Sequence, residues 1–573
     1  MRFHTPGRMG GILLVVAVFM SVFSAALPPG EDRDEVAEII RNRLSAAPRG
    51  EGLVCNGERL AGSDALRRFY ERRLYEPAWT REGMPLSIVD EMIQVLAGIW
   101  TDGLDAGIYH LEPIRSALEA VQSERRGAAS DTALRLADLD LLLSDAFIQL
   151  AVHLAAGSVE PAMIESEWFI QVVRPDAAAI LRQALNMSAV AGALDALRPA
   201  RPEYASLREA LRDYRDIVAR GGWPAVPAGP PIRPGDVGSR VQALRERLAA
   251  SDDLAAGATA AGPVTADVYD DAVAAAVRRY QTRLGFRPDG VVGQETLASL
   301  NVSAEERLAQ IKVNLERWRW LPRDIGSRYI MVNTASFHLD LVEAGTTVLD
   351  MRVVVGAAAT RTPVFEDLMT TIEINPVWNV PATIAAKEVL TNVRRDPNYL
   401  RRLGYRLFDG WNTGAAEVDP ATVDWNSLNE TNFRYRVLQE PGPINSLGRL
   451  AFLFPNPWAV YLHDTPQRDL FQQSSRSFSH GCIRIAWPLD LAAELMRNDP
   501  AWTKENILAA IAAGANKMLP IPDPIPVYIV YLTAWREKDG TVHFRNDIYG
   551  RDIILAHALE GEVRPAVMPR TVR

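Results

Sequence analysis

The sequence predicts a multidomain α+β chain with a helical N-terminal scaffold, a small three-helix domain and a mainly β domain interrupted by a lid-sized insertion. Three observations predict it. Apolar residues recur at helical spacing from Glu31 to about Gly221, as in Leu136, Leu139 and Leu143 followed by Phe147, Leu150 and Leu154. A Pro/Gly-rich stretch, 222–234, then rules out both a helix and a central strand. From Tyr329 the apolar period becomes two, with β-branched residues dominating. At 573 residues the chain is too long for one core, so three or four domains are expected.

Taken in order, Met1 to Gly10 carries Arg2 and Arg8, residues 11–26 form an apolar run, and Ser24-Ala25-Ala26 supplies small residues for cleavage. Residues 1–26 therefore read as a signal peptide, with retention of residues 11–26 as an inner-membrane anchor the alternative, and the compartment expected is the periplasm. No later stretch reads as spanning length. The formal charge of −9 disfavours a nucleic-acid partner. Of the two cysteines, Cys55 and Cys482, neither is expected in a disulfide, because pairing them would consume the thiol assigned below to chemistry.

The helical region, 31–221, is broken at Pro77, Gly103 to Gly107, Pro113 and Pro161, and it holds no catalytic constellation; His110 and His153 are isolated and read as packing or surface residues. After the linker 222–234, the segment 235–302 opens on Gly235-Asp236-Val237-Gly238, carries apolar stripes at Val241, Leu244, Leu248 and at Val273, Ala276, Val277, and turns at Asp289-Gly290 into a last helix with Thr296, Leu297 and Leu300. The Ala/Gly-rich insertion 251–265 reads as a surface loop.

The β domain is placed at 327–551. Its first strands are Tyr329 to Asn333, Phe337 to Leu341 and Met351 to Gly356, followed by Thr360-Arg361-Thr362-Pro363 and by Ile372 to Pro381. A long interruption, 384–448, separates these from the later strands, and a loop of that length inside a compact domain is usually functional. Val527 to Trp535 and Thr541 to Ile548, joined at Lys538-Asp539-Gly540, read as a hairpin completing the sheet.

The chemistry concentrates at Tyr461-Leu462-His463-Asp464 and Ser479-His480-Gly481-Cys482-Ile483-Arg484. A glycine before a cysteine exposes the thiol and leaves two consecutive N–H groups to face a developing oxyanion. A free thiol titrates near roughly 8.5, so it needs a base. His463, nineteen positions before Cys482, reaches it only if the polar segment Arg468 to Ser479 loops back, whereas His480 is two residues away. Cys482 as a structural thiol, or His463, His480 and Cys482 as zinc ligands, are the competing readings; no metal or cofactor is expected.

His463 followed by Ser-His-Gly-Cys-x-Arg resembles the signature of the L,D-transpeptidases of the YkuD type, bacterial enzymes that cross-link peptidoglycan. The resemblance implies that Cys482 is the nucleophile, His463 rather than His480 the base, and Arg484 a substrate ligand, with Gly481, Cys482 and Tyr461 at the oxyanion site. Ser479 and His480 belong to the same motif. Ile372 to Pro381 resembles a segment that lines the site in that family, which makes Trp378 a substrate-contact candidate; burial by packing is the equal alternative. The interruption 384–448 falls where large members carry a lid. Phe69 to Trp79 resembles the N-terminal scaffold of the large Gram-negative members, and 235–302 resembles a small peptidoglycan-binding domain.

The resemblance thus implies 3→3 cross-linking of stem peptides by acyl transfer from a tetrapeptide donor, with release of D-alanine, in peptidoglycan biosynthesis and cell shape. It also implies acylation of Cys482 by carbapenems. The partners expected are stem peptides and glycan; other wall synthases are not readable from the chain. Water as acceptor would make an L,D-carboxypeptidase, and a protein lysine a wall-attachment enzyme. A non-catalytic peptidoglycan-binding scaffold is the reading from another class.

Overall fold

A long apolar helix, α1 (Thr132–Ala156), shows how the helical region is built. By length and composition it could cross a membrane, which the sequence reading missed, but 83% of its most apolar window is buried, and it is a core helix. The computed structural model describes residues 31–46, 53–124, 132–254, 266–412 and 414–561. The signal or anchor segment 1–26 and most of the insertion 251–265 lie outside them.

The chain forms two compact units. One comprises the described residues within Met1–Leu96, Gly107–Gln149 and Ala177–Ala191; the other comprises those within Ala97–Ala106, Leu150–Asp176 and Gly192–Arg573. In the first, the fully buried Asp140 carboxylate accepts from Tyr70 Oη at 2.6 Å and from the N–H groups of Ala78 and Trp79, each at 2.8 Å to one oxygen. A buried carboxylate survives only with its acceptor sites filled in this way. The Phe69 to Trp79 segment is thereby fixed on α1. Cys55 lies here too, 1% exposed, its thiol 3.1 Å from Asp138 Oδ1.

In the second unit, α2 (Ser239–Ala250), α3 (Asp271–Arg283) and α4 (Gln294–Leu300) bury Val241, Leu244, Leu248, Val273, Val277, Tyr280 and Leu300. Their Asp289-Gly290 turn is held by Gln281, whose amide donates to Asp289 Oδ1 at 2.9 Å and accepts the Gly290 N–H at 2.9 Å. The Pro/Gly stretch is tied down rather than loose: Val226 exchanges backbone bonds with the Asn301 side chain at 2.8 and 2.9 Å, and Ile232 bridges to Val292. Helix α5 (Ala304–Trp320) follows, opened by a reciprocal Ser303/Glu306 cap.

The β domain is built from β1 (Arg328–Asn333), β2 (His338–Glu343), β3 (Thr346–Gly356), β4 (Phe365–Ile374), β5 (Trp378–Asn379), β6 (Tyr405–Phe408), β7 (Glu417–Val418), β8 (Arg436–Gln439), β9 (Leu450–Leu453), β10 (Leu462–His463), β11 (Ser477–Ser479), β12 (Ile483–Ile485) and β13 (Lys517–Val530). Its main sheet runs β11-β3-β12-β10-β9-β4-β13-β1-β2, and β2 also pairs with β3, closing the sheet on itself around an aliphatic core that includes Val353, Ile372, Leu450, Leu462 and Ile483. Closure leaves only the short β11 paired on one side, by β3. The chain is thus helical at its N-terminal side, helical again in the small domain, and β-rich at its C-terminal side, as the sequence predicts.

Two expectations are corrected. Residues 384–448 are not an open loop: β7-β6-β8-β5 form a separate four-stranded sheet over their own core of Val380, Val389, Val393, Leu400, Leu407 and Val437. Polar, turn-rich spacing hid strands of two to four residues. The final hairpin exists as β14 (Ala534–Arg536) and β15 (Val542–Phe544), but the two pair only with each other; of that region the main sheet takes β13.

Candidate active site

The parallel pairing of β10 with β12 builds the site. Its register sets Leu462 opposite Ile483 and His463 opposite Arg484, and the Ile483 N–H donates to the Tyr461 carbonyl at 3.1 Å. Leu462, Ile483 and Ile485 are fully buried in the core. Alternation along a strand then puts Tyr461, His463, Cys482 and Arg484 together on the other face. The intervening segment, with its 3₁₀ turn Arg468–Gln472 and with β11, makes the return that the nineteen-residue separation requires.

His463 is 4% exposed, and its Nδ1 lies 2.5 Å from the Asp464 carbonyl oxygen. A carbonyl only accepts, so Nδ1 carries the proton and Nε2 presents a lone pair. Burial lowers the ring to about 3; the nearby Arg484 charge works in the same direction, and the carbonyls of Asp464 and Leu447 oppose it. Burial pushes the Cys482 thiol up to about 11, against the pull of the Tyr461 backbone and the Arg484 charge. In this state the thiol donates to the Ala459 carbonyl at 3.4 Å. Both groups are therefore neutral at physiological pH rather than a thiolate and an imidazolium.

The Ser-His-Gly turn is braced from several sides. Gly481 has φ 118°, in the left-handed region that favours glycine. Ser479 Oγ donates to the Cys482 carbonyl at 2.5 Å and accepts the Gly481 N–H at 3.2 Å. This corrects the expectation of two free amides: the Gly481 N–H is engaged within its own turn, and the Cys482 N–H is the one of the pair left outside it. Thr362 Oγ1 donates to the Gly481 carbonyl at 2.8 Å and accepts the Gly356 N–H at 2.9 Å, while Tyr549 Oη donates to the Gly356 carbonyl at 2.7 Å. Thr360 Oγ1 donates to the Ser479 carbonyl at 2.9 Å.

Around this core, Arg484 Nη1 donates to Gln467 Oε1 at 2.5 Å, and its buried Nε has no hydrogen-bond partner among the described residues. The Tyr461 ring lies 6.1 Å from that of His463, and burial beside Cys482 raises its hydroxyl. His480 is exposed and sets Nε2 against Glu388 Oε1, on a π-helical turn, Ala385–Val389, of the insertion. Trp378 belongs to the insertion's sheet, half-buried with its ring 6.2 Å from that of Tyr405. Among the described residues no three His, Cys, Asp or Glu side chains converge as metal ligands.

Sequence reasoning missed four contributors. Thr360 and Thr362 stood in a noticed motif whose bracing role nothing local announced. Tyr549 is 67 positions beyond Cys482 and carried no signal. Phe169, from the helical region, donates its N–H to the Val364 carbonyl at 2.7 Å and stacks at 4.2 Å on Trp458, next to the thiol's acceptor Ala459.

Residues 327–503 match the family model of the L,D-transpeptidase catalytic domain, residues 237–300 that of a "Putative peptidoglycan binding domain", and residues 64–211 that of a "Scaffold domain". The chain therefore carries an L,D-transpeptidase catalytic domain and a peptidoglycan-binding domain. A Haemophilus influenzae protein named "Putative L,D-transpeptidase" is 35% identical over 264 residues, 45% of this chain and 52% of the relative, so the chain spans about half the length of the curated relative it matches. Solved L,D-transpeptidases from Stackebrandtia nassauensis and Xylanimonas cellulosilytica are 13% and 15% identical, cover 54% and 53% of this chain and 96% and 99% of their own, and give TM-scores of 0.20 and 0.15, too low to carry a structural argument.

Proposed function

We propose that the chain is a cysteine-dependent L,D-transpeptidase that forms 3→3 peptidoglycan cross-links. The observation that carries the reading is the β10–β12 register, which gathers a thiol, a buried neutral imidazole and a cation on one face. As substrate approaches, Nε2 of His463 takes the Cys482 proton and Sγ attacks the carbonyl carbon of the third residue of a donor tetrapeptide stem. The tetrahedral oxyanion is met by the Cys482 N–H and the Tyr461 hydroxyl, and Arg484 offsets charge on thiolate and stem. The C–N bond to D-alanine breaks, His463 returns the proton to the departing amine, and a thioester remains. The side-chain amine of a diamino acid on a second stem, giving its proton to His463, displaces sulfur and restores the thiol.

The folded insertion beside the site favours an amine over water as the acceptor, since a lid that excludes water protects the thioester from hydrolysis. The peptidoglycan-acting domains point to work outside the cytoplasm, and residues 1–26 would direct export. The decisive experiment is intact mass analysis with a disaccharide-tetrapeptide, comparing the parent chain with Cys482→Ala and His463→Gln. An adduct on the parent alone, followed by 3→3 dimers, supports the assignment. Folded, reduced protein that neither acylates nor turns over would refute it, and tripeptide without dimers would reassign it as a carboxypeptidase.

A further inference from the structure

Ala459, whose carbonyl accepts the Cys482 thiol at 3.4 Å, stands at φ 51°, a left-handed conformation that a residue with a Cβ keeps only where its surroundings impose it. Two sets of contacts impose it. Within the turn, the Asn456 side-chain amide fills all its sites: Nδ2 donates to the Phe454 carbonyl at 3.0 Å and to the Val460 carbonyl at 2.7 Å, and Oδ1 accepts the Trp458 and Val460 N–H groups at 3.2 and 3.1 Å. From outside it, two rings meet Trp458, the residue before Ala459: buried Phe365 with centroids 4.7 Å apart, and Phe169 at 4.2 Å with the planes 30° apart. The amide shapes the turn, and the rings place it.

Phe169 comes from far upstream, in the stretch that matches a scaffold model, and its backbone is fixed to the β domain. Val364, the residue before β4, donates its N–H to the Glu167 carbonyl at 2.8 Å and accepts the Phe169 N–H at 2.7 Å, so that Trp168 bridges to Val364 like a residue of an added parallel strand. Side chains hold the same segment. Glu167 accepts from Arg551 Nη2 at 2.8 Å, buried Glu165 pairs with Arg317 at 3.4 Å, and the Trp168 ring meets Trp320 edge-on at 4.9 Å. Phe169 is therefore a fixed stop. A ring 36% exposed gains little from burial, and the ring it stacks on among the described residues is that of Trp458.

We infer that Phe169 is a positioning residue of the catalytic centre: through Trp458 it holds the Ala459 carbonyl against Cys482, and so fixes where the sulfur stands and which way its S–H bond points. A carbonyl bonds the protonated sulfur only, so the contact favours thiol over thiolate and opposes the Arg484 guanidinium. The other titratable groups on that face, His463 and Tyr461, and Glu373 of β4 beyond Tyr461, are the same in every variant below. The inference rests on the transpeptidase reading for the reaction that the sulfur serves, but alkylation reads the sulfur without turnover. Phe169→Ala should lower acylation of Cys482 by a disaccharide-tetrapeptide about ten-fold, because a sulfur no longer held in line attacks slowly. Iodoacetamide alkylation of Cys482 near about pH 8 should instead rise about three-fold, its pH profile moving to lower pH as the acceptor for the thiol is lost. A merely structural loss does not move the two rates in opposite directions. Phe169→Tyr keeps the ring and should restore parental values; Phe169→Leu, which keeps apolar volume and with it the fold, should shift both rates in the same senses as Phe169→Ala. With Trp458→Ala already in place, Phe169→Ala should add nothing. Parental acylation and alkylation profiles in folded Phe169→Ala and Phe169→Leu chains would overturn the inference. So would effects that add to those of Trp458→Ala, or Cys55 labelling that rises with that of Cys482, the mark of a loosened fold. An alkylation profile that depends on Phe169 in a chain that no stem acylates would keep the positioning role and remove the transferase.

Discussion

His463 and Arg484 face each other across the parallel pair β10–β12, which brings an imidazole and a guanidinium onto one side of the sheet. The guanidinium, by its charge, bears on two neighbours: it lowers the His463 imidazole and favours the Cys482 thiolate over the thiol. Its buried, unpartnered Nε costs desolvation energy, which a bound carboxylate would recover.

Replacing Arg484 should therefore slow Cys482 more than it disturbs the fold. Arg484→Gln is expected to lower the acylation rate by roughly 10–100-fold, the range of one charge-assisted hydrogen bond at about 1.5–3 kcal/mol. Arg484→Lys should recover part of the loss, since it keeps the charge without the fork. Iodoacetamide labelling followed by peptide mass analysis gives an independent reading of thiolate content, with Cys55, 1% exposed and its thiol raised by burial, as the unreactive internal control. Equal alkylation of Cys482 with and without Arg484 would remove the electrostatic role.

Acid should weaken the fold partly through His463. Burial lowers its pKa to about 3, while an unfolded histidine titrates near roughly 6.5. Between those values the unfolded state binds the extra proton, so stability is complete above about pH 6.5 and is lost as pH falls. The loss from this one group is on the order of 3 kcal/mol by pH 4, at about 1.4 kcal/mol per unit. His153 and His543, each lowered by burial to about 4, act in the same direction. Calorimetric scans of parent and His463→Gln from pH 7 to 4 should show the shallower decline in the variant; parallel curves would mean that the folded imidazole takes up the proton.

What was legible followed from contiguous patterns. Ser479 to Arg484 stood out because its residue types fall within six consecutive positions, whereas the pairing that sets His463 opposite Arg484 lies between segments nineteen or more positions apart and was not readable. The commitment of the Gly481 N–H was not legible, since a φ of 118° turns it onto the Ser479 hydroxyl and sequence carries no dihedral. The insertion's fold was missed because strands as short as Glu417–Val418 have no measurable period. Trp378 was ambiguous in the sequence for a physical reason: an aromatic ring serves equally to pack and to bind.

The turn's brace gives a stability test. Thr362→Val keeps the shape but leaves the Gly481 carbonyl and the Gly356 N–H without the hydroxyl that joins them, at a cost of about 1–3 kcal/mol. Gly356→Ala should be worse, because a Cβ there would be driven against the Thr360 carbonyl and stand 2.7 Å from the Thr362 nitrogen, backbone atoms that cannot rotate away. Chemical denaturation should rank the two in that order, with acylation by a tetrapeptide stem falling in both. A Thr362→Val chain of parental stability and rate would show that the bond is replaced by water.

The contact between His480 and Glu388 joins the thiol turn to the insertion, and its removal should change the fate of the acyl-enzyme more than its formation. Both side chains are near half exposed, 43% and 51%, so the pair contributes at most about 1 kcal/mol to stability, and Glu388→Gln should fold normally. The insertion has its own core and sheet, which lets it shift as a body when a latch on its π-helical turn is weakened. A more open site admits water to the thioester in competition with the acceptor amine. Glu388→Gln is therefore expected to raise the ratio of hydrolysed tripeptide to 3→3 dimer by about two- to five-fold, in line with a change of about 1 kcal/mol or less in partitioning, while the acylation rate by donor stem alone stays near that of the parent. Glu388→Lys, which replaces the acceptor that faces His480 Nε2 with a cationic donor, should push the ratio further. Chromatography of the muropeptide products at equal acyl-enzyme formation reads this directly. A ratio that does not move in either variant would mean that the contact plays no part in keeping water from the thioester.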